Sequence, residues 1–438
     1  MTAPDLALEK SLARHYAAPR EVDPAVTLAR LRPLLRAMGI TRVANITGLD
    51  ELGLPVVNVI RPNARSLSAA QGKGLDLDAA KVSGVMEAIE AHCAEHILQP
   101  LKYASATEMA RRHRLPDMAA LPQPVTSRFT PDTPILWIEG LEVCGQQVGA
   151  RETADDASVW VPFELVHVNY TLPAVPGAGC FLLSSNGLAS GNTADEALAH
   201  GLCELVERDA SALFDADPRL LDRRRVDLRT LDDPYCRALI GRLQASGIIV
   251  ALWDMTGDIG LATFRCHLME CHPDPAKLPL PAGGEGCHPD RLIALLRALT
   301  EAAQARLAVI AGVRDDIGPD LYGRTDDPDN LEAWRHLLAA GEGRRHFAEI
   351  PHQPLATAAA EVAYVVACLH DAGLPPPLAV DLSPADLISG EADAFKVMRV
   401  VVPGLEPPGE AACRPGRRLL AARRAAAKAG VTSWEGGT

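Results

Sequence analysis

Apolar positions recur every three to four residues over the stretches 76–98, 193–215, 288–310, 329–341 and 354–372. That spacing predicts α-helices with one or more apolar faces. Between them lie short runs rich in β-branched and aromatic residues, bounded by Gly, Pro or Asp. They are LPVVNVIRP (54–62), TPILWIEGLEV (133–143), SVWVPFELVHVNY (158–170), GIIVALWDMT (247–256) and GLATFRCHLME (260–270). These predict β-strands. Residues 1 to about 45 read as two helices, the second interrupted at Pro33. The proline-rich stretches 115–134 and 273–281 read as loops between subdomains. Helices mixed with strands indicate an α/β or α+β fold.

Three helical stretches share a layout: GKGLDLDAAKVSGVMEAIEAH, SGNTADEALAHGLCELVERDA and HPDRLIALLRALTEAAQARL. Aligned on Glu87, Glu204 and Glu301, they carry Glu90, Glu207 and Gln304 three residues later and Ala80, Ala197 and Ala294 seven residues earlier. Their separations are too long and too unequal for a solenoid. They suit a domain assembled from related helix-on-sheet pieces. Spacings of three and four put Glu196, His200, Glu204 and Glu207 on one stripe of the second helix, with Ser83, Glu87 and Glu90 likewise on the first. Around each stripe the helix is apolar, which predicts burial. Buried carboxylates that close together repel and lose hydration, so they call for cations.

Composition narrows which cations and which partners. The 438 residues are 48% hydrophobic and 23% charged, as in folded globular chains, and the net charge is −13. Such an acidic chain argues against nucleic acid or an anionic membrane as the main partner. No apolar run reaches the length of a membrane span, and the first residues lack a signal-like apolar core. Ten scattered cysteines suit reduced thiols and a cytoplasmic location.

Hard oxygen and amide ligands without clustered histidines suit Mg²⁺, which usually joins a few carboxylates to nucleotide phosphates. Lys73, in a glycine-flanked turn, and Arg208 are then phosphate ligands. The turn is not a Walker A loop, since no Ser or Thr follows Lys73. Neither His92 nor His200 supplies the Glu-x-x-His spacing of a di-iron bundle. Zinc is not expected at the Cys-His pairs 266–267, 271–272 and 287–288, and Cys203 reads as a core thiol. His200 is a weak candidate for a general base.

Together with VMRVVVPGLEP, these segments resemble the YcaO superfamily over roughly residues 60 to 407. The resemblance implies a YcaO-type fold around a central ATP and magnesium site. The family's S-x-x-x-E helix matches Ser83 and Glu87, with Glu90 beyond. Its S-x-x-E-x-x-E-R helix matches Glu204, Glu207 and Arg208, with Gly201 in place of the serine. Its E-x-x-Q helix matches Glu301 and Gln304, and the SGNTADEA turn offers Asn192 and Glu196. The implied magnesium ligands are Glu87, Glu90, Glu196, Glu204, Glu207 and Glu301; the implied ATP or phosphate ligands are Lys73, Ser83, Asn192, Arg208 and Gln304. The implied activity is ATP-dependent phosphorylation of a peptide amide oxygen.

The chain ends VTSWEGGT, without the proline-rich tail common in azoline-forming members, and is most similar to the TfuA-associated branch. Thioamide formation is therefore expected, with a precursor peptide or protein, a TfuA-like partner, a sulfide source and homodimerisation. Azoline formation and a non-catalytic peptide-binding scaffold are the alternatives. The expected organisation is an N-terminal helical segment (1–55), a catalytic domain (56–410) and a basic, solvated C-terminal helix (411–438).

Overall fold

The computed structural model describes residues 20–144, 147–148, 158–271, 281–319, 328–339, 343–384, 395–407 and 412–429. The longer helices are α1 (Pro24–Leu31), α2 (Leu77–Glu95), α3 (Ala194–Asp215), α4 (Pro234–Ala245), α5 (Arg291–Ala311), α6 (Pro328–Ala339), α7 (Ala358–Asp371) and α8 (Arg417–Lys428). The strands are β1 (Arg42–Asn45), β2 (Val56–Ile60), β3 (Ala69–Lys73), β4 (Leu101–Ala104), β5 (Ile135–Cys144), β6 (Gln147–Val148), β7 (Ser158–Pro162), β8 (Leu188–Gly191), β9 (Ile248–Asp254), β10 (Ala262–Glu270), β11 (Ala282–His288), β12 (Leu378–Asp381) and β13 (Lys396–Val401). The fold is mixed α/β, and the described strand pairs are antiparallel.

The chain forms two compact units. The first comprises 1–88, 220–256 and 262–354; the second comprises 89–219, 257–261 and 355–438. In the first, β1-β2-β3 and β11-β10-β9 are separate three-stranded sheets. A core cluster of the first unit gathers Phe264, Phe347, Leu252, Leu295 and Leu299 where α5 lies on β10 and β11. In the second, β4-β5-β12-β13-β8 form the main sheet, and β6 and β7 pair with the long β5. Helix α3 packs on β8 and β13, with α7 and α8 against it.

Local signals start and stop the helices. Thr193 caps α3 by accepting the Glu196 N–H, and Asp290 caps α5 through Leu292 N–H. Gly312, at φ 60°, ends α5 in the left-handed conformation. The helix missed by periodicity, α4, nevertheless begins with an Asp-Pro start at Asp233 and Pro234.

Several strand and helix expectations change. The N-terminal helical reading gives way after Leu31: turns follow, and Arg42–Asn45 is a strand. The strand expected over 158–170 stops at Pro162 and continues as a 3-10 turn, Phe163–Leu165. The loop expected at 273–281 lies almost wholly outside the described residues. The C-terminal helix is largely solvated, yet Arg418 is not, because it is tied to Asp209.

The three acidic helices each follow an edge strand: β3 precedes α2, β8 precedes α3 and β11 precedes α5. Glycines let helix and strand backbones approach closely. A Cβ at Gly72 would collide with the backbones of Ala80 and Gly84, and one at Gly286 with that of Ala294. At Gly284 it would meet Ala298 and Ala302. Both obstacles are backbone, so neither can swing aside. The variant Gly284→Ala is expected to lose about 1–3 kcal/mol of stability through overpacking. An unaltered denaturant midpoint would count against this close contact.

His267 on β10 points away from the core cluster that takes Cys266 and Leu268; it is half-buried, stacked on Trp334 at 4.7 Å and edge-on to Trp253 at 5.5 Å. Burial, aided by the Arg265 charge, depresses its pKa from the ordinary 6.5 to about 3. The ring is thus neutral when folded, whereas the unfolded chain binds a proton below about 6.5. Its contribution is present above pH 6.5 and is lost as pH falls towards 3, by up to about 1.4 kcal/mol per pH unit. The variant His267→Phe keeps an aromatic ring there and should show a shallower loss of stability between pH 6 and 4. Superimposable pH profiles would contradict the assignment.

Candidate active site

In the first unit the site residues converge on β3, an edge strand whose outward backbone groups need partners. The Gln71 N–H makes a long contact of 3.5 Å to Glu87 Oε1 on α2. The Lys73 N–H donates to Ser83 Oγ at 3.4 Å. From α5, the Gln304 amide donates to the Gln71 carbonyl at 3.5 Å, and Glu301 forms an ion pair with the Lys73 ammonium. The other Glu301 oxygen accepts the Glu285 N–H of β11 at 3.3 Å. One strand thereby gathers Lys73, Ser83, Glu87, Glu301 and Gln304. Lys73, expected as a phosphate ligand, already has a carboxylate beside it. Glu87 is exposed rather than buried, unlike the expectation from its apolar helix.

In the second unit the carboxylates line α3 and the last turns of α2. The Ser190 hydroxyl of β8 donates to Glu90 at 2.5 Å. Asn192 donates both its backbone and its side-chain N–H to Glu196 Oε2, each at 2.8 Å, fixing that carboxylate at the start of α3. Glu196 and Glu207 are 8% and 7% exposed, so the predicted burial holds there. Arg208 approaches Glu207 at 3.6 Å. Glu204 is half-buried and acts electrostatically on Arg399 of β13. His200 is exposed on the same helix, and Cys203 is a buried core thiol.

Three residues that the sequence reading left out enter the site: Ser190, Arg399 and His167. Burial lowers the Arg399 pKa to about 10, opposed by the Glu204 charge and, once its phenol ionises, by Tyr170, which leaves the guanidinium charged at neutral pH. Burial, and then the Arg399 charge, lower His167 to about 4, so its imidazole is neutral. A signal existed for Arg399: it is an arginine within an otherwise apolar strand, KVMRVV. His167 and Ser190 carried no comparable mark.

These groups fit magnesium with a polyphosphate. Within each unit the donors are oxygens and amides beside a cation: Lys73 with Ser83, Glu87, Glu301 and Gln304 in the first, and Arg208 with the buried Glu196 and Glu207 of one helix in the second. Among the described residues, no cluster of three His, Cys, Asp or Glu forms a metal cage by itself. Magnesium sites commonly complete their coordination with phosphate oxygens and water.

Residues 71–406 match the family model for the YcaO cyclodehydratase, ATP- and Mg²⁺-binding. The chain belongs to the YcaO family. It is an ATP-dependent enzyme of the YcaO type, with ATP and Mg²⁺ as cofactors. Similar to this YcaO chain is an uncharacterized protein in the tfuA 3' region of Rhizobium leguminosarum bv. trifolii, 39% identical over 88% of each chain. An uncharacterized protein of Methanothermobacter thermautotrophicus is 32% identical over 92% of this chain and 98% of its own.

Among solved structures, the YcaO fold is shared by YcaO from Methanopyrus kandleri bound with AMPPCP and Mg²⁺. The TM-score is 0.65 at 21% identity, over 88% of this chain and 92% of that one. It is also shared by a heterocyclase in complex with substrate and cofactor, with TM-score 0.65 and 23% identity. That match takes in 89% of this chain but only about half, 53%, of the heterocyclase. No described helix of this YcaO chain is long and apolar enough to cross a membrane.

Proposed function

We propose that the enzyme converts a peptide backbone amide to a thioamide, acting with a TfuA-like partner on a precursor peptide or protein. The observation that carries this reading is the 39% identical relative from the tfuA 3' region. In the overall reaction, sulfide adds to the amide carbon and the amide oxygen leaves as phosphate. The balance is amide, sulfide and ATP to thioamide, ADP and inorganic phosphate.

Magnesium supplies charge neutralisation when bound, and ATP supplies the phosphoryl group. Glu87, Glu90, Glu196, Glu204, Glu207 and Glu301 would hold the metal. Lys73 and Arg208 would bind phosphate oxygens, and Asn192 would orient Glu196. Ser83 and Gln304 complete the set as hydrogen-bonding groups. Such a site works by positioning and charge neutralisation, which dominate phosphoryl transfer. His200, exposed on α3, is the weak candidate for a base. A homodimer is the proposed assembly.

Azoline formation is the second reading, favoured by the cyclodehydratase description of the family and by the heterocyclase neighbour. Peptide, ATP, sulfide and a TfuA-like protein, incubated with the enzyme and read by mass spectrometry, separate the two. Replacement of oxygen by sulfur raises the peptide mass, and cyclodehydration lowers it by one water. A mass loss that is independent of sulfide would overturn the thioamide reading.

A further inference from the structure

Arg399 lies in the middle of β13 and is 2% exposed. Its Nη2 donates to the Ser184 carbonyl at 2.7 Å. Its Nε and Nη1 are buried without a hydrogen-bond partner among the described residues. His167, 4% exposed, uses Nδ1 to accept the Asn169 N–H at 3.1 Å. In a neutral imidazole that hydrogen bond leaves the proton on Nε2. His167 Nε2 is likewise buried without a hydrogen-bond partner among the described residues. Each unmet atom is therefore an N–H donor.

Strand register says where these donors lie. Val397 pairs with Ser190 across β13 and β8, and Ser190 holds Glu90. Residues two apart on a strand share a face. Arg399 thus sits on the sheet face where Ser190 meets Glu90, within the electrostatic reach of Glu204. His167 is held nearby, since the Val168 N–H donates to Ala94 of α2 at 3.2 Å and the Arg399 charge acts on the ring. Three residues beyond His167 the chain is open to solvent, with Tyr170 46% exposed.

A buried arginine with unmet donors is costly, and a hydrophobic side chain of similar volume would ordinarily serve the fold better. The remaining donors, Arg399 Nε and Nη1 and His167 Nε2, carry net positive charge and meet no acceptor among the described residues, which matches an anionic oxygen. We propose that Arg399 and His167 form an oxyanion subsite that receives a tetrahedral phosphoryl group. It rests on the proposed function only for the source of that group, which is the phosphate generated from the amide oxygen. Arg399 would supply charge-assisted donors on one side, and His167 Nε2–H a neutral donor on the other.

Inorganic phosphate is the probe, titrated calorimetrically into the full chain without nucleotide or Mg²⁺, with acetate as a parallel carboxylate arm. Phosphate should bind the wild type, about 10- to 100-fold more weakly to Arg399→Met, and with a smaller loss to His167→Gln. Acetate should bind more weakly than phosphate throughout. Unchanged phosphate binding in a folded Arg399→Met, or no phosphate binding by the wild type, overturns the subsite. Acetate binding as tightly as phosphate overturns the phosphoryl assignment in favour of a carboxylate. Should Arg399→Met not fold, Arg399→Lys and His167→Gln give the same comparison: retained affinity in both counts against the subsite, and loss in His167→Gln supports it. Failure of thioamide formation with phosphate binding intact would remove the proposed function and leave the subsite standing.

Discussion

Replacing Glu207 with glutamine should cut ATP turnover steeply while raising the stability of the ligand-free protein. Glu207 is 7% exposed on α3, three residues from Glu204 and within 3.6 Å of Arg208. Glutamine keeps its shape and removes one negative charge from a carboxylate-rich helix. Without ligand, that relieves repulsion between Glu207 and the half-buried Glu204. With ligand, it removes a partner of the metal and its phosphates. Loss of one preorganised electrostatic contact typically costs about a hundred- to a thousandfold in rate.

The measurements are peptide-dependent phosphate release and thermal melts with and without Mg²⁺ and a non-hydrolysable nucleotide. The wild type should be stabilised by Mg²⁺ together with nucleotide, by about 2.7 kcal/mol at a hundredfold excess over Kd, and little by nucleotide alone. Glu207→Gln should show a higher starting melt and a smaller ligand shift. Wild-type turnover in this variant would take Glu207 out of the site.

The second large effect is expected at Arg418, in α8. Its guanidinium contacts Asp209 at 2.8 and 2.9 Å and Asp258 at 2.6 and 3.0 Å. Asp209 is 1% exposed, next in sequence to Arg208, and its Oδ1 also accepts the Glu406 N–H at 2.9 Å. Burial pushes the Asp209 carboxyl up, while Arg418 pulls it back down. Glu406 in turn accepts the N–H groups of Gly416 and Leu419 at 2.8 and 2.9 Å, capping the helix that carries Arg418.

Arg418→Met strands a buried carboxylate, so about 3–5 kcal/mol of stability should be lost in denaturant melts. Adding Asp209→Asn should recover much of that loss, because the two side chains form one network. Strict additivity of the two substitutions would show that they do not interact.

The repeat of the acidic helices was legible because Glu87/Glu90, Glu204/Glu207 and Glu301/Gln304 recur at matched positions on three apolar helices. Strands β2, β9 and β10 were legible from their β-branched and aromatic residues. Those beneath the site were not. AAQGK reads as part of a glycine-flanked turn, and LASG and AGGEGCH carry no strand signal, because all three are poor in β-branched and aromatic residues. The structure gives the reason: at Gly72, Gly284 and Gly286 a helix backbone occupies the space a side chain would fill.

Contacts far apart in sequence were equally hidden. Nothing local to Arg418 distinguishes it from its exposed neighbours Arg417 and Arg423, and only the fold brings it to Asp209. His167 became noticeable only once its Nε2 was seen to be buried.

The glycines under the acidic helices bear on how this protein tolerates change. In a saturation library scored for activity, Gly72, Gly284 and Gly286 should prove nearly as intolerant as the carboxylates above them, although they carry no side chain to offer a ligand. A map of inactivating positions would then outline two layers, one of charge and one of bare backbone. The second layer would mark the supporting strands even for an observer who had never seen the fold.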